Sequence, residues 1–434
     1  MTNEIATQLK SIIDRNTELV DLNQSDNYWQ TKVCQAVNGI DSSKSTYLIF
    51  PSTVEILATV VKLAADRGWR ILICGNGSKL QWGNFTQNIQ LIISTQKCDC
   101  LIEHAVGDLT VTAEAGMKLV DLQNILRSHN QFLPIDPSYP NNATLGGIVA
   151  CGDTGSWRER YGSIRDILLG ISFVRADGAI AKAGGRVVKN VAGYDLMKLF
   201  TGAYGTLGII SQLTFRTFPL ISTSQTLLLT GEASNIALAV KTVRNSGLTP
   251  TAMDLLSRKV IEQLQLNANI GLMIRWQSIP ESIERQIEQV KAISTELNLT
   301  TKNYQGQAEV NLWQQCANLF IEDTAVICKI GIVPTMAVKF LQSPEVVNNN
   351  VAARIHAGSG IGKLQSNDLD CQAISKMRSL IEEKYGFLTI LNAPNALKQQ
   401  VDIWGYRGNA ISAMQAIKNQ FDPQNILNPN RFIV

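Results

Sequence analysis

Three separated turns in this chain combine glycine with hydroxyl side chains, a combination suited to a phosphate-bearing ligand. They are Gly75-Asn76-Gly77-Ser78, residues 144–156 and residues 202–210. Glycine has no Cβ, so backbone N–H groups can approach a ligand closely and the chain can take φ > 0. Several converging N–H groups form an anion nest. Ser78, Thr144, Thr154 and Ser156 add hydroxyl donors. Each segment alone reads as a tight turn; the three together point to a large phosphate-bearing ligand held mainly by backbone. Other chemistry is sparse. There are three histidines, His104, His129 and His356, and eight cysteines without a CxxC. Cys98-Asp99-Cys100 is the one close pair and reads as two ordinary thiols, so these spacings give no iron–sulfur or zinc site.

The first turn follows an apolar run, Ile71 to Cys74, in ILICGNGSKLQWG. A dinucleotide fingerprint needs G-x-G-x-x-G opening a helix, with an acid about 20 residues on. Position 80 is Leu, residues 79–90 are polar and aperiodic, and no acid ends a following strand. A Walker loop is also missing. The nucleotide reading must therefore rest on some other scaffold.

The elements that would position these turns are legible in part. Residues 1–44 read as two helical stretches. Tyr47–Phe50 reads as a strand. Ser52 with Glu55 reads as a capping box for a helix that Gly68 ends. Trp69–Cys74 then closes a β-α-β unit. Leu109, Val111, Ala113 and Ala115 alternate as a half-buried strand, and a helix over 118–130 follows. Residues 133–156 read as a long irregular loop with three prolines and four glycines, which inside a compact domain is usually functional. Ile167–Ala176 and Ala179–Ala183 form a hairpin across Asp177-Gly178. Ile210–Phe218 is a strand. Beyond 220 the glycine density drops. Strands at 226–230, 270–276, 325–333, 351–356 and 387–391 alternate with helices at 233–246, 280–297, 308–320, 334–342 and 368–384, an antiparallel α+β domain. One helix and FDPQNILNPNRF end the chain.

Composition narrows the function classes. At 434 residues the chain needs more than one core. Its 45% hydrophobic and 17% charged residues are ordinary for a globular protein. A net charge of +3 gives nucleic-acid binding no support. The N-terminus, MTNEIATQLK, lacks the basic start and apolar core of a signal peptide. No apolar run approaches the roughly 20 residues a membrane span needs. The expectation is a cytoplasmic protein with reduced thiols, any membrane association coming through partners.

One ordered set of motifs goes further. Pro51, the 75–78 turn, Asp136-Pro137, Ala143-Thr144-Leu145-Gly146-Gly147, Arg160-Tyr161-Gly162, Asp177-Gly178 and Gly205-Thr206-Leu207-Gly208-Ile209 occur in sequence. Together they resemble the flavin-binding domain of the vanillyl-alcohol-oxidase / p-cresol-methylhydroxylase superfamily. The resemblance implies FAD lying extended between two α+β subdomains, with its pyrophosphate at the first turn. Ser78 stands where some members carry a flavin-linking His, so FAD is expected to be non-covalent. The expected FAD contacts are Gly75, Asn76, Gly77, Ser78, Trp82, Pro137, Thr144, Gly146, Gly147, Thr154, Ser156, Gly208 and Ile209. The implied architecture is α+β: an N-terminal helical arm (1–44), a two-subdomain FAD-binding domain (45–219), an antiparallel α+β cap (220–395), and a C-terminal helix and tail returning to the flavin domain (396–434).

Residues 184–210 and the terminal FDPQNILNPNRF resemble the D-lactate / glycolate dehydrogenase branch of that superfamily. The short length, VDIWG at 401–405 and Ala203-Tyr204 resemble a subunit of a glycolate oxidase complex within it. That implies a small hydroxy-acid substrate, a sister flavin subunit, and an iron–sulfur subunit that takes the electrons. Catalytic members of the branch carry H-A-G-x-G-x-x-H and a later Glu-His pair. Here the first motif reads His356-Ala357-Gly358-Ser359-Gly360-Ile361-Gly362-Lys363, and the pair is missing from GFLTILNAPNALK, so no metal is expected. Hydroxy-acid oxidation needs a base for the hydroxyl proton and a cation for the carboxylate. His356 could serve as the first, and Lys189, Arg186 or Lys363 as the second. A structural His356 and a solvated basic surface fit the same residues. Three readings remain open: a catalytic FAD subunit, a flavin-fold subunit kept for assembly or electron relay beside a catalytic sister, and a stand-alone flavoenzyme such as a cell-wall-precursor reductase.

Overall fold

The computed structural model describes residues 2–39, 45–185, 193–266, 268–322 and 324–433. The chain forms two compact units. One comprises residues 1–154, 163–220 and 407–434, the other residues 155–162 and 221–406. Gly155–Gly162 and residues 396–406 therefore fall in the second unit, whereas the sequence assigns them to the flavin domain and the tail. The reason for the first is local: Ser156 and Glu159 bond to residues of the second unit's sheet.

The first unit holds two sheets. The smaller has the order Glu18–Asp21, Tyr47–Phe50, Leu91–Ser94, Ile71–Cys74. Its last three strands are parallel and almost wholly apolar, as expected of strands covered on both faces. The β-α-β unit is present, but Leu91–Ser94 lies between its two strands. Its helix, Val54–Arg67, buries Val54, Leu57, Val60, Val61 and Ala64 at helical spacing. Each of the valine and leucine side chains among them contributes roughly 1.5–3 kcal/mol. The N-cap is Thr53, which accepts from the Ile56 N–H, and not the expected Ser52. Ser52 is held by Asp14 instead, 2.9 Å away. Gly68 ends the helix at φ 66°. The N-terminal stretch has its two helices, Thr2–Lys10 and Asn27–Cys34, and also the edge strand Glu18–Asp21, too short for periodicity to show.

The larger sheet of this unit is antiparallel, in the order Leu101–Ala105, Thr110–Glu114, Ile209–Arg216, Leu168–Val174, Ile180–Gly184. The expected hairpin is there, and Gly178 turns it at φ 81°. The stretch read as an irregular loop contains a helix, Leu145–Cys151. Two glycines near its start lower its intrinsic propensity by about 1 kcal/mol each, which hides it from sequence. One of them is required by packing: a Cβ on Gly146 would sit 2.8 Å from the Ala115 Cβ. Thr144 caps the helix through the Gly147 N–H, and Gly152 ends it at φ 56°.

The second unit is an eight-stranded antiparallel sheet in the order Thr300–Gln305, Ser224–Gly231, Ile270–Gln277, Ala252–Leu256, Ala352–His356, Ile361–Ser366, Val326–Gly331, Phe387–Asn392. Helices Ala233–Arg244, Pro280–Glu296, Gly306–Asn318 and Cys371–Glu382 accompany it. Three of its strands are not legible in the sequence. Thr300–Gln305 is a polar edge strand, Ala252–Leu256 is a short buried run, and Ile361–Ser366 follows glycines. No helix among the described residues is long and apolar enough to cross a membrane.

The cysteines are free thiols. Cys98 is buried and burial pushes its thiol up to about 12, while the neighbouring Glu114 carboxylate raises exposed Cys100. At pH 8 the folded chain should be alkylated at exposed Cys34 first, with Cys100 slower and Cys98 protected. Mass mapping after brief iodoacetamide treatment checks this; early labelling of Cys98 would contradict the packing around it.

Candidate functional site: a glycine-walled pocket closed by the C-terminal tail

A pocket of about 700 Å³, counting its solvent-open part, lies in the first unit. That is within the usual cofactor-site range of roughly 300–1,000 Å³. Four segments far apart in sequence, residues 73–80, residues 144–151, residues 204–210 and the tail residues Asn428 and Arg431, build it together with Thr95. Nine of the thirteen expected flavin contacts line it: Gly75, Asn76, Gly77, Ser78, Thr144, Gly146, Gly147, Gly208 and Ile209. Four do not. Trp82 is buried beneath the Lys79 ammonium, 5.7 Å from its ring centroid. Pro137 is buried beside Ser138, whose N–H bonds Asp153. Thr154 ends its segment of the first unit outside the lining. Ser156 belongs to the second unit, its hydroxyl donating to Asp254.

The turn after Ile71–Cys74 is shaped for close approach. A Cβ on Gly75 would overlap the Thr144 hydroxyl. Gly77 has φ 73°, a left-handed conformation costly for other residues. The N-terminal helix supports the turn from outside: the Tyr28 hydroxyl donates to the Asn76 carbonyl at 2.6 Å. The Asn76 amide donates to the Asn142 carbonyl at 3.3 Å. A second, polar groove lined by Ser52, Lys97 and Lys118 shares Asn76 and Thr144 with the pocket.

The tail supplies residues that sequence reasoning did not single out. Asn428 accepts from the Ile73 N–H at 2.7 Å and donates to the Tyr204 carbonyl at 2.7 Å. It thus ties the tail to the strand before the turn and to the third glycine segment. A Cβ on Gly205 would come within 2.8 Å of the Asn428 amide. Tyr204 stacks on Phe432, with centroids 5.8 Å apart. Behind these, Lys418 donates to the carbonyls of Thr206 and Leu427, at 2.9 and 3.0 Å. No local pattern could reveal contacts across more than 200 residues.

Arg431 is 4% exposed, and its guanidinium donates to the carbonyls of Leu80, Asn84 and Ala36. Burial pushes it down to about 10, so it stays charged at neutral pH. Burial pushes the Cys74 thiol up to about 12 and raises the Tyr204 phenol, so both stay neutral. Lys79 and Asp153 neutralise each other at 3.3 Å. The pocket therefore offers side-chain-free backbone and a net positive charge, which fits a phosphate-bearing cofactor.

His356 lies in the second unit, at the end of Ala352–His356 and 4% exposed. Its Nε2 is 3.0 Å from the Ser156 carbonyl and its Nδ1 is 2.8 Å from the Ser359 hydroxyl. A carbonyl only accepts, so Nε2 donates to Ser156, while Nδ1 faces the Ser359 hydroxyl. Glu159 is 3.5 Å from Nε2, and a side chain on Gly358 would collide with its carboxylate. Both ring nitrogens are thus engaged by the protein. Lys363 lies on Ile361–Ser366, paired in register with Arg354 and Lys329. Arg186 and Lys189 lie outside the described residues. Among the described residues, no group of three His, Cys, Asp or Glu is placed to hold a metal ion.

His356→Ala should leave the flavin-to-protein ratio unchanged and cost about 1–3 kcal/mol through the partners left unpaired. Absorbance and a thermal melt check this. A variant of unchanged stability that loses substrate turnover would instead make His356 catalytic.

Comparison with known proteins agrees with this geometry. Residues 45–184 match the family described as FAD binding domain, and residues 405–432 the FAD linked oxidases, C-terminal domain. The solved structure of p-cresol methylhydroxylase with substrate bound superposes with a TM-score of 0.74 at 13% identity, covering 99% of this chain and 96% of that one. The fold is therefore that of p-cresol methylhydroxylase, and residues 45–184 carry an FAD binding domain. Its relatives include glycolate oxidase subunits and a D-lactate dehydrogenase. Glycolate oxidase subunit GlcD of Bacillus subtilis (strain 168) is 25% identical over 454 residues, 96% of each chain. Glycolate oxidase subunit GlcE of Escherichia coli (strain K12) is 40% identical over 120 residues, 27% of this chain and 34% of that protein. D-lactate dehydrogenase of Archaeoglobus fulgidus is 26% identical over 221 residues, 51% of this chain and 49% of that protein.

Proposed function

We propose that this chain is the FAD-carrying subunit of a multi-subunit glycolate oxidase, or dehydrogenase, of the GlcE type. It works beside a sister flavin subunit and passes electrons to an iron–sulfur subunit. The observation that carries the reading is the glycine-walled pocket closed by the chain's own tail, in a protein with both GlcD and GlcE as relatives. VDIWG at 401–405 and Ala203-Tyr204 support the GlcE type.

Oxidising glycolate or D-lactate to the 2-oxo acid removes two electrons and two protons from the hydroxy acid. Bound FAD supplies the two-electron acceptor. The 75–78 turn and Thr144 hold its phosphates by N–H and hydroxyl groups, and Ser78 leaves it non-covalent. His356 holds Ser156 and Glu159 against the second unit's sheet. Lys189 provides the cation for the substrate carboxylate.

Isolating the affinity-tagged chain from its native cells tests this reading. The expected result is co-isolation of a second flavoprotein and an iron–sulfur protein, with glycolate-dependent dye reduction. A chain that isolates alone and reduces the dye unaided would overturn the subunit assignment.

A further inference from the structure

We infer that Arg431 is the counter-charge for the phosphates of FAD, so that the tail completes the cofactor site electrostatically as well as sterically. The inference rests on the FAD assignment of the pocket. A buried ion is costly unless it is both hydrogen-bonded and paired. The Arg431 guanidinium is hydrogen-bonded three times, each time to a main-chain carbonyl. Carbonyl dipoles solvate the charge but do not cancel it. Among the described residues no carboxylate lies within ion-pair distance of it. Its electrostatic neighbours are Cys74, Cys151 and Tyr204. The Cys74 thiol and Tyr204 phenol are neutral at pH 7, and Asp153, which acts on Tyr204, is paired with Lys79.

Among the described residues the cation therefore lines the pocket without a carboxylate partner. It lines the same pocket as Gly75 and Gly77, whose backbone carries no Cβ. A dinucleotide brings two phosphate charges to such a place, where charge-assisted bonds are about twice as strong as neutral ones. The same guanidinium joins residues 36, 80 and 84 to residue 431, which holds the 75–78 turn against the tail. Charge and clasp are thus carried by one side chain, and the test must separate them.

FMN and riboflavin differ by one phosphate, so comparing their affinities reads the charge alone. Apoprotein is titrated with FAD, FMN and riboflavin by flavin fluorescence, for the native chain, Arg431→Met and Arg431→Lys. The native chain should prefer FMN to riboflavin and FAD to both. In Arg431→Met, FAD and FMN should weaken by about ten- to hundredfold while riboflavin changes by less than about threefold. Arg431→Lys keeps the charge with fewer bonds, so it should keep most of the FMN preference while melting at a lower temperature. It also serves as the deciding variant where Arg431→Met does not fold. Parallel weakening of all three flavins in either variant would overturn the inference and leave Arg431 a clasp only. A native chain that binds FAD but does not distinguish FMN from riboflavin would also overturn it. A native chain that binds no flavin would sink the pocket assignment itself.

Discussion

Gly77→Asp is expected to yield a folded but colourless protein. Gly77 sits at φ 73°, where an L-residue costs about 1–2 kcal/mol, and Asp tolerates that region better than most. The new Cβ would lie 3.2 Å from the Trp29 ring and 3.4 Å from the Tyr28 hydroxyl, tight but short of a collision. Destabilisation alone is therefore modest. The larger effect is electrostatic, because a carboxylate would stand in the turn assigned to the pyrophosphate. The flavin-to-protein ratio should fall to near zero while the melting temperature drops only a few degrees. Gly75→Val makes the complementary test, since its side chain would displace Thr144 and disturb the cap of Leu145–Cys151. A yellow Gly77→Asp protein would remove the turn from the flavin site.

Lys418→Met is expected to be the most destabilising single change in the tail. Lys418 and Asp422 form a buried ion pair, and the Asp422 carboxylate also accepts from the N–H groups of Ile426 and Leu427, at 3.1 and 2.8 Å. Burial outweighs the Asp422 carboxylate and pushes Lys418 below its ordinary value, so the pair is costly in itself. Removing one member is costlier still, leaving a buried carboxylate uncompensated at about 3–5 kcal/mol. The Thr206 carbonyl would lose its donor as well. Urea denaturation should show the loss, and flavin affinity should fall with it because Asn428 and Arg431 follow directly in the chain. Lys418→Met combined with Asp422→Asn should recover part of the stability. A single variant as stable as the native chain would contradict the tail's role in closing the pocket.

What was legible in the sequence divides along physical lines. Helices with five buried residues at helical spacing, such as Val54–Arg67, could be read locally. So could the glycine turn after Ile71–Cys74, because φ > 0 and the lack of a Cβ leave a mark in composition. The helix Leu145–Cys151 was hidden because its glycines serve packing against Ala115, which a propensity reading scores against a helix. Thr300–Gln305 was hidden because an edge strand needs no apolar face. Nine of the pocket's residues could be named in advance since they lie in the glycine segments. Asn428 and Arg431 could not, because their partners lie more than 200 residues away and each looks locally like any polar tail residue. The partners of Ser156 were hidden for the same reason: its hydroxyl bonds Asp254 and its carbonyl faces His356, 98 and 200 residues away.

The central claim, an FAD pocket serving hydroxy-acid oxidation, is tested most directly by the visible spectrum of the purified chain before and after anaerobic glycolate. The account predicts a flavin spectrum in the purified chain, and bleaching of that flavin by glycolate once the chain is assembled with its partner subunits. A chain with no flavin absorbance, or a flavin that stays oxidised with glycolate and D-lactate in the assembled complex, would contradict it.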